Sequence, residues 1–249
     1  MIYKRIIFLL LLIPFFSFSQ QRVSGKIIYK YRIVKEVFNS DKKSENIKSV
    51  FKGFSENLEN SKEKISFELI FNQNESYYKM IKKLESDYDK GLNFAILITG
   101  GKEELYTSIK DTIRRKRITA FGETFLIDNN FKNSWKLTQE SKKIGKYTCY
   151  KAILEKKFTD SYNKEKKMLI EAWYTPEIPV NFGPKGYGNL PGLILELDQG
   201  GIVYYAQQIE LNKGKNIVIN PPKKGKIISE EEFSNMFRKI DKKRRNKKF

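Results

Sequence analysis

The chain has 249 residues, with 48 Lys and Arg against 29 Asp and Glu, a formal net charge of +19, one cysteine and no histidine. The missing histidine excludes Ser-His-Asp and Cys-His catalysis and imidazole zinc sites, and the single thiol excludes cysteine-rich zinc sites and any internal disulfide. Catalysis is confined to carboxylate pairs, lysine or tyrosine, and no D-x-D-x-D-G calcium loop is present, so no metal or other cofactor is assigned.

The N-terminus reads MIYKRIIFLLLLIPFFSFSQ. Lys4 and Arg5 form a positive n-region, Ile6 to Phe16 an apolar core, and Ser17-Phe18-Ser19 a small-x-small cleavage pattern. Residues 1–19 are therefore expected to be a signal peptide, with a single β-rich domain over 20–240 and a basic tail over 241–249. No cysteine follows the cut, so the expected product is periplasmic or secreted, without a lipid anchor. Nucleic acid is the reflex partner for so basic a chain. Here the lysines are spread along the whole length, and no RNP, helix-turn-helix or zinc-finger signature occurs. Weak attraction to anionic surfaces is the expected by-product.

From Gly25 the pattern has period two. Ile27, Tyr29, Tyr31, Ile33 and Val37 share one face, with Lys30, Arg32 and Glu36 opposite. Residues 39–64 are polar and read as a loop or a short helix. SFELIF places Phe67, Leu69 and Phe71 together, and Asn72-Gln73-Asn74 turns the chain into SYYKM. Further strands are predicted at 94–99, 104–109, 115–121, 124–127, 147–158 and 167–175, with Ser161-Tyr162-Asn163 as a turn before the last. LILELD and IVYYAQQIEL form a hairpin around Gln199-Gly200-Gly201, with Leu193, Leu195 and Leu197 on one face of the first strand and Val203, Tyr205 and Ile209 on one face of the second. Ser229-Glu230-Glu231-Glu232 is a capping box, and Phe233, Met236, Phe237 and Ile240 follow at helical spacing. The predicted fold is mainly β. It is an antiparallel meander curled into an open half-barrel, or alternatively a β-sandwich, ending in a short amphipathic helix.

The stretch AWYTPEIPVNFGPKGYGNLPGLILEL, from Ala172, concentrates Pro176, Pro179, Pro184 and Pro191 with Gly183, Gly186, Gly188 and Gly192. Prolines fix φ and remove donors while glycines permit positive φ, so the connection is expected to be stiff. It reads as a hard corner ahead of Leu193–Leu197, with unusual backbone angles at Gly188, Asn189 and Gly192 and with Trp173 and Tyr174 packed beneath. It is also a candidate rim of a binding face. The candidate contacts are Trp173, Tyr174, Pro176, Glu177, Pro179, Gly183, Pro184, Asn189, Leu190, Pro191 and Gly192. The lone Cys149 sits in a strand-like stretch and reads as a small buried hydrophobe.

WYTPEIP…GP…Y…LPGLILEL resembles the defining segment of the GLPGLI family, and Trp135 with Gly145–Ala152 resembles that family's upstream tryptophan and cysteine region. The hexapeptide here is NLPGLI. Asn189 replaces the first glycine and is the best non-glycine residue where φ is positive. The resemblance implies an exported, β-rich protein of Gram-negative bacteria, with no catalytic residues to carry over.

Two functions follow from these residues. The first is a non-catalytic binding or accessory protein of the cell envelope. It would hold a hydrophobic ligand, a peptide or an outer-membrane protein partner on the curved sheet. The second is a carboxylate-dependent hydrolase using an acid and a base among Glu171, Glu177 and Glu196. The oligomeric state is not legible in the sequence.

Overall fold

The computed structural model describes residues 23–34, 45–81, 89–130, 133–159, 164–213 and 217–246. Residues 1–19, expected to be a signal peptide, Val37 and residues 161–163, expected to turn, lie outside them. Among the described residues a single twelve-stranded sheet forms. Its strands in chain order are β1 Val23–Ile33, β2 Phe67–Phe71, β3 Glu75–Met80, β4 Glu103–Ser108, β5 Ile113–Ala120 and β6 Glu123–Asn130, followed by β7 Lys136–Ile144, β8 Tyr147–Thr159, β9 Glu165–Thr175, β10 Leu193–Gln199, β11 Ile202–Lys213 and β12 Lys226–Ile228. The spatial order is β12-β6-β5-β4-β3-β2-β1-β11-β10-β9-β8-β7. The sheet is open and curved, and its ends β12 and β7 do not meet. One sheet rather than two resolves the fold as the half-barrel and not the sandwich.

The meander follows from the alternation. The β1 residues Ile27, Tyr29 and Tyr31 are at most 1% exposed, as are Phe67, Leu69 and Phe71 on β2. The β10–β11 hairpin turns at Gly200 (φ 65°) and Gly201 (φ 91°), with Gln199 opposite Ile202. The predicted hairpin is present, with Gln199 belonging to β10 and the turn made by the two glycines alone. β7 and β8 are joined the same way through Gly145-Lys146.

Several expectations are corrected. Residues 39–64 hold more than a loop or a short helix: Glu45–Ser61 is a helix, α1, of 17 residues. Residues 94–99, read as a strand, are the end of helix α2, Lys90–Ile98, with Thr99 as its C-cap. Asp89 caps it by accepting from the Leu92 N–H at 2.9 Å. Leu92 and Ala95 face inward, whereas Leu97 is exposed. A continuous apolar run has no period to distinguish helix from buried strand, and here the cap decides. β7 and β12 were not read as strands. Bulges also regroup two faces. The shift between Ile28 and Tyr29 sets Ile27 opposite Ile209 and Tyr31 opposite Tyr204. Tyr204, not Val203 or Tyr205, therefore shares the inner face with Ile209. The bulge between Ile194 and Glu196 breaks the single face expected of Leu193, Leu195 and Leu197, and Leu193, Ile194, Leu195 and Leu197 are all buried.

The inner face is closed at one end by α1 and α2, which meet through an edge-to-face contact of Phe54 and Phe94 with centroids 4.5 Å apart. Buried tyrosine hydroxyls tie the layers together. Tyr31 donates to Leu58 O at 2.6 Å, Tyr204 to Thr99 O at 3.0 Å and Tyr29 to Ile194 O at 2.6 Å. Each gives a buried tyrosine hydroxyl a backbone acceptor. Helix α3, Glu230–Asn246, begins with the predicted capping box: Ser229 Oγ accepts from Glu232 N at 3.1 Å, and Glu232 Oε2 accepts from Ser229 N at 2.7 Å. Phe233 packs against Phe125 and Ile127 on β6. The helix is longer than expected and runs into the stretch read as a tail.

Candidate functional site

The connection from Pro176 to Gly192 turns inward instead of standing at the rim. Ile178, Val180, Phe182, Tyr187 and Leu190 are all buried. Its backbone is stitched to β10 by Leu193 N to Ile178 O at 3.0 Å and Ile194 N to Phe182 O at 2.9 Å, and to itself by Asn189 N to Asn181 O at 3.1 Å. A 3-10 turn at Pro184–Gly186 brings its tip against β3 and β4. The loop therefore supplies the apolar filling of the half-barrel. The inner wall that was expected to receive a hydrophobic ligand is occupied by the protein's own side chains.

Two positions explain the glycines. A Cβ at Gly192 (φ 154°) would lie 2.1 Å from the Thr175 carbonyl oxygen, and one at Gly183 would lie 2.7 Å from the Cβ of Ile194. Asn189 has φ 68°, as the reading of NLPGLI requires. The other positive-φ residues of the loop are Lys185 and Gly186, so Gly188 is not among the unusual positions as expected. Trp173 departs as well. Strand alternation sets it on the opposite face from Ala172 and Tyr174. It is half-buried there, with Lys142 Nζ 4.2 Å from its ring centroid. The tryptophan under the loop is Trp135. Its Nε1 donates to Gly188 O at 2.8 Å, and its ring meets Tyr187 edge-on at 6.2 Å.

The candidate contacts thus divide. Tyr174, Gly183, Pro184, Leu190 and Gly192 are buried and structural, while Pro176, Glu177, Pro179, Asn189 and Pro191 are exposed. Glu177 accepts from the Thr148 N–H at 2.7 Å. Glutamine keeps that acceptor, so Glu177→Gln is expected to change stability by less than about 0.5 kcal/mol in a thermal melt. A larger loss would show that the carboxylate charge itself holds the corner.

The two strand acids near the loop are both ion-paired. Glu171 is bound to Lys151 at 3.0 Å, and Glu196 lies between Lys142 at 2.7 Å and Arg32 at 3.4 Å. Cys149 is buried, and desolvation pushes its thiol up to about 11, which keeps it protonated and inert at neutral pH.

What the curvature does create is a cleft of about 550 Å3 between the two wings of the sheet. β5 supplies Arg114 and Lys116, β8 supplies Leu154 and Lys156, and the loop tip supplies Lys185 and Tyr187. Glu230, at the start of α3, closes the far side and binds Lys116 at 3.1 Å. Arg114 Nη1 donates to Gly186 O at 3.2 Å, and Lys185 pairs with Glu103 at 3.1 Å, so the tip is fixed to the opposite wing by polar contacts. Sequence reading missed these residues, which look like ordinary surface cations in alternating strands.

A family model described as a protein of unknown function, Porph_ging, matches residues 135–163 and 155–196. That span runs from Trp135 through the whole Pro/Gly loop, the stretch that also carries the GLPGLI resemblance. No curated protein matches the chain. Two structures of PNGF-II, in space groups C2 and P21, are similar with TM-scores of 0.51 and 0.50 at 16% identity, and each covers 87% of this chain. They cover 32% and 33% of PNGF-II, so the chain spans about a third of that protein's length. At this identity the fold is what the two share.

Proposed function

We propose that the chain is a non-catalytic binding or accessory protein of the bacterial cell envelope, exported to the periplasm or beyond, and that it takes its ligand in the cleft at the mouth of the half-barrel. The observation that carries this reading is the cleft's construction. A stiff loop buries its apolar side chains in the inner wall and leaves its polar tip as the floor of a space walled by both wings. At about 550 Å3 the space has the volume of a small-molecule site. The GLPGLI resemblance and the N-terminal pattern support the envelope setting, and the missing histidine supports binding over catalysis.

The test is a thermal-shift screen of the purified protein against neutral and charged small molecules, with Leu154→Trp as a cleft-filled control. A ligand binding only the folded state at a hundredfold excess over its Kd stabilises by about 2.7 kcal/mol. Compounds that raise the melting temperature of the wild type and not of the filled variant support the reading. Equal shifts in both proteins, or none in either, overturn it.

A further inference from the structure

We propose that the cleft is an oxyanion site, which recognises a small ligand through a carboxylate or phosphate group held between Lys156, Arg114 and the Tyr187 hydroxyl. This rests on reading the cleft as the binding site, and it adds the chemical class of what enters.

The charges around the cleft do not cancel. Arg114, Lys116, Lys156, Lys157 and Lys185 line it against Glu103, Glu155 and Glu230. Each acid already has a cation: Glu103 has Lys185, Glu230 has Lys116, and Glu155 has Lys167 at 2.9 Å. Lys156, from the opposite wing, forms no ion pair among the described residues. Desolvation in the cleft lowers the pKa of its ammonium below the ordinary lysine value although much of the side chain stays accessible; the positive charges of Arg114, Lys116 and Lys185 act in the same direction and Glu230 acts against them. An anion between the wings would relieve that repulsion.

The second observation is independent of charge. Tyr187 is 6% exposed and lines the cleft, yet its hydroxyl has no hydrogen-bond partner, and the same holds for the Nδ2 of Asn133, which also lines it. Both groups can donate. Tyr187 and Arg114 both line the cleft. A buried donor without a partner is destabilising, so its persistence at a cationic floor points to an acceptor supplied from outside. An oxyanion satisfies the guanidinium, the ammonium and the phenol together, because it accepts several charge-assisted hydrogen bonds at once.

Trp135, packed on Tyr187, is the natural reporter. With Trp173→Phe as background, Trp135 emission is followed during titration with inorganic phosphate, glycerol phosphate, acetate and glucuronate at constant ionic strength, with neutral glycerol as the uncharged probe. A saturable change is expected with the phosphates or with the carboxylates, and the arm with the lower Kd identifies which oxyanion the cleft prefers. Lys156→Glu should raise that Kd at least about tenfold and Tyr187→Phe about threefold or more. Lys146→Glu, the same charge change in the turn between β7 and β8, should leave it unaltered. Circular dichroism verifies folding, and Lys156→Ala replaces the glutamate variant if that one misfolds. An unchanged Kd in both Lys156 variants overturns the oxyanion assignment. A response to neutral compounds alone overturns the assignment while leaving the cleft a binding site. No response to any probe, charged or neutral, together with a negative thermal-shift screen, removes both.

Discussion

Gly192→Val is expected to destabilise the protein by about 3 kcal/mol or more, the combined effect of a disfavoured backbone angle and a side chain with nowhere to go. The φ of 154° is one that residues with a Cβ rarely adopt, and the added Cβ would lie 2.1 Å from the Thr175 carbonyl oxygen. The obstacle is backbone, not a flexible side chain, and it belongs to the last residue of β9. Relief therefore requires β9 and β10 to separate at the point where Leu193 pairs with Thr175. For a chain of this size the loss corresponds to a fall in melting temperature of roughly 6–12 °C. A Gly192→Val protein melting within a degree of the wild type would show that this corner is not what positions β10.

How much of this was legible beforehand depends on whether a residue's role leaves a local trace. The corner was readable because proline, glycine and Asn189 each announce a backbone requirement in their own chemistry. The half-barrel was readable from strands whose two faces differ, such as β1. β7 was not, because Lys136–Ile144 is an edge strand with mostly exposed residues and no apolar face to alternate. Residues 94–99 misled because every position is apolar or Thr, and Asp89, the cap that decides, stands outside the run. The rim expectation failed for a different reason. Ile178, Val180 and Phe182 alternate as a strand does, but only the curvature of the sheet shows that their buried face fills the barrel. The cleft was least legible of all. Arg114 and Lys156 belong to opposite wings, separated by seven strands in the sheet order, and are joined across the half-barrel only by its curvature.

The loop's role as filling leads to the other large effect. Phe182 is 1% exposed on the inner wall, and its backbone carbonyl accepts from Ile194 N at 2.9 Å. Phe182→Ala leaves that backbone bond in place and removes only the ring, so the expected loss of about 3–5 kcal/mol reports apolar packing and the cavity left behind. A chemical-denaturation midpoint measures it. The same variant separates two uses of the inner wall. If the loop has replaced an apolar ligand, the wild type should be indifferent to benzene or a small aryl halide. The variant, with a dry cavity in the apolar core, should be stabilised by them. If instead the wild type is stabilised as strongly as the variant, the wall is open to apolar molecules without any excision. The hydrophobic-ligand expectation from the sequence would then return in place of the polar cleft. Stabilisation confined to the variant leaves the cleft, with its cations and its unpartnered tyrosine, as the surface on which this fold meets its ligand.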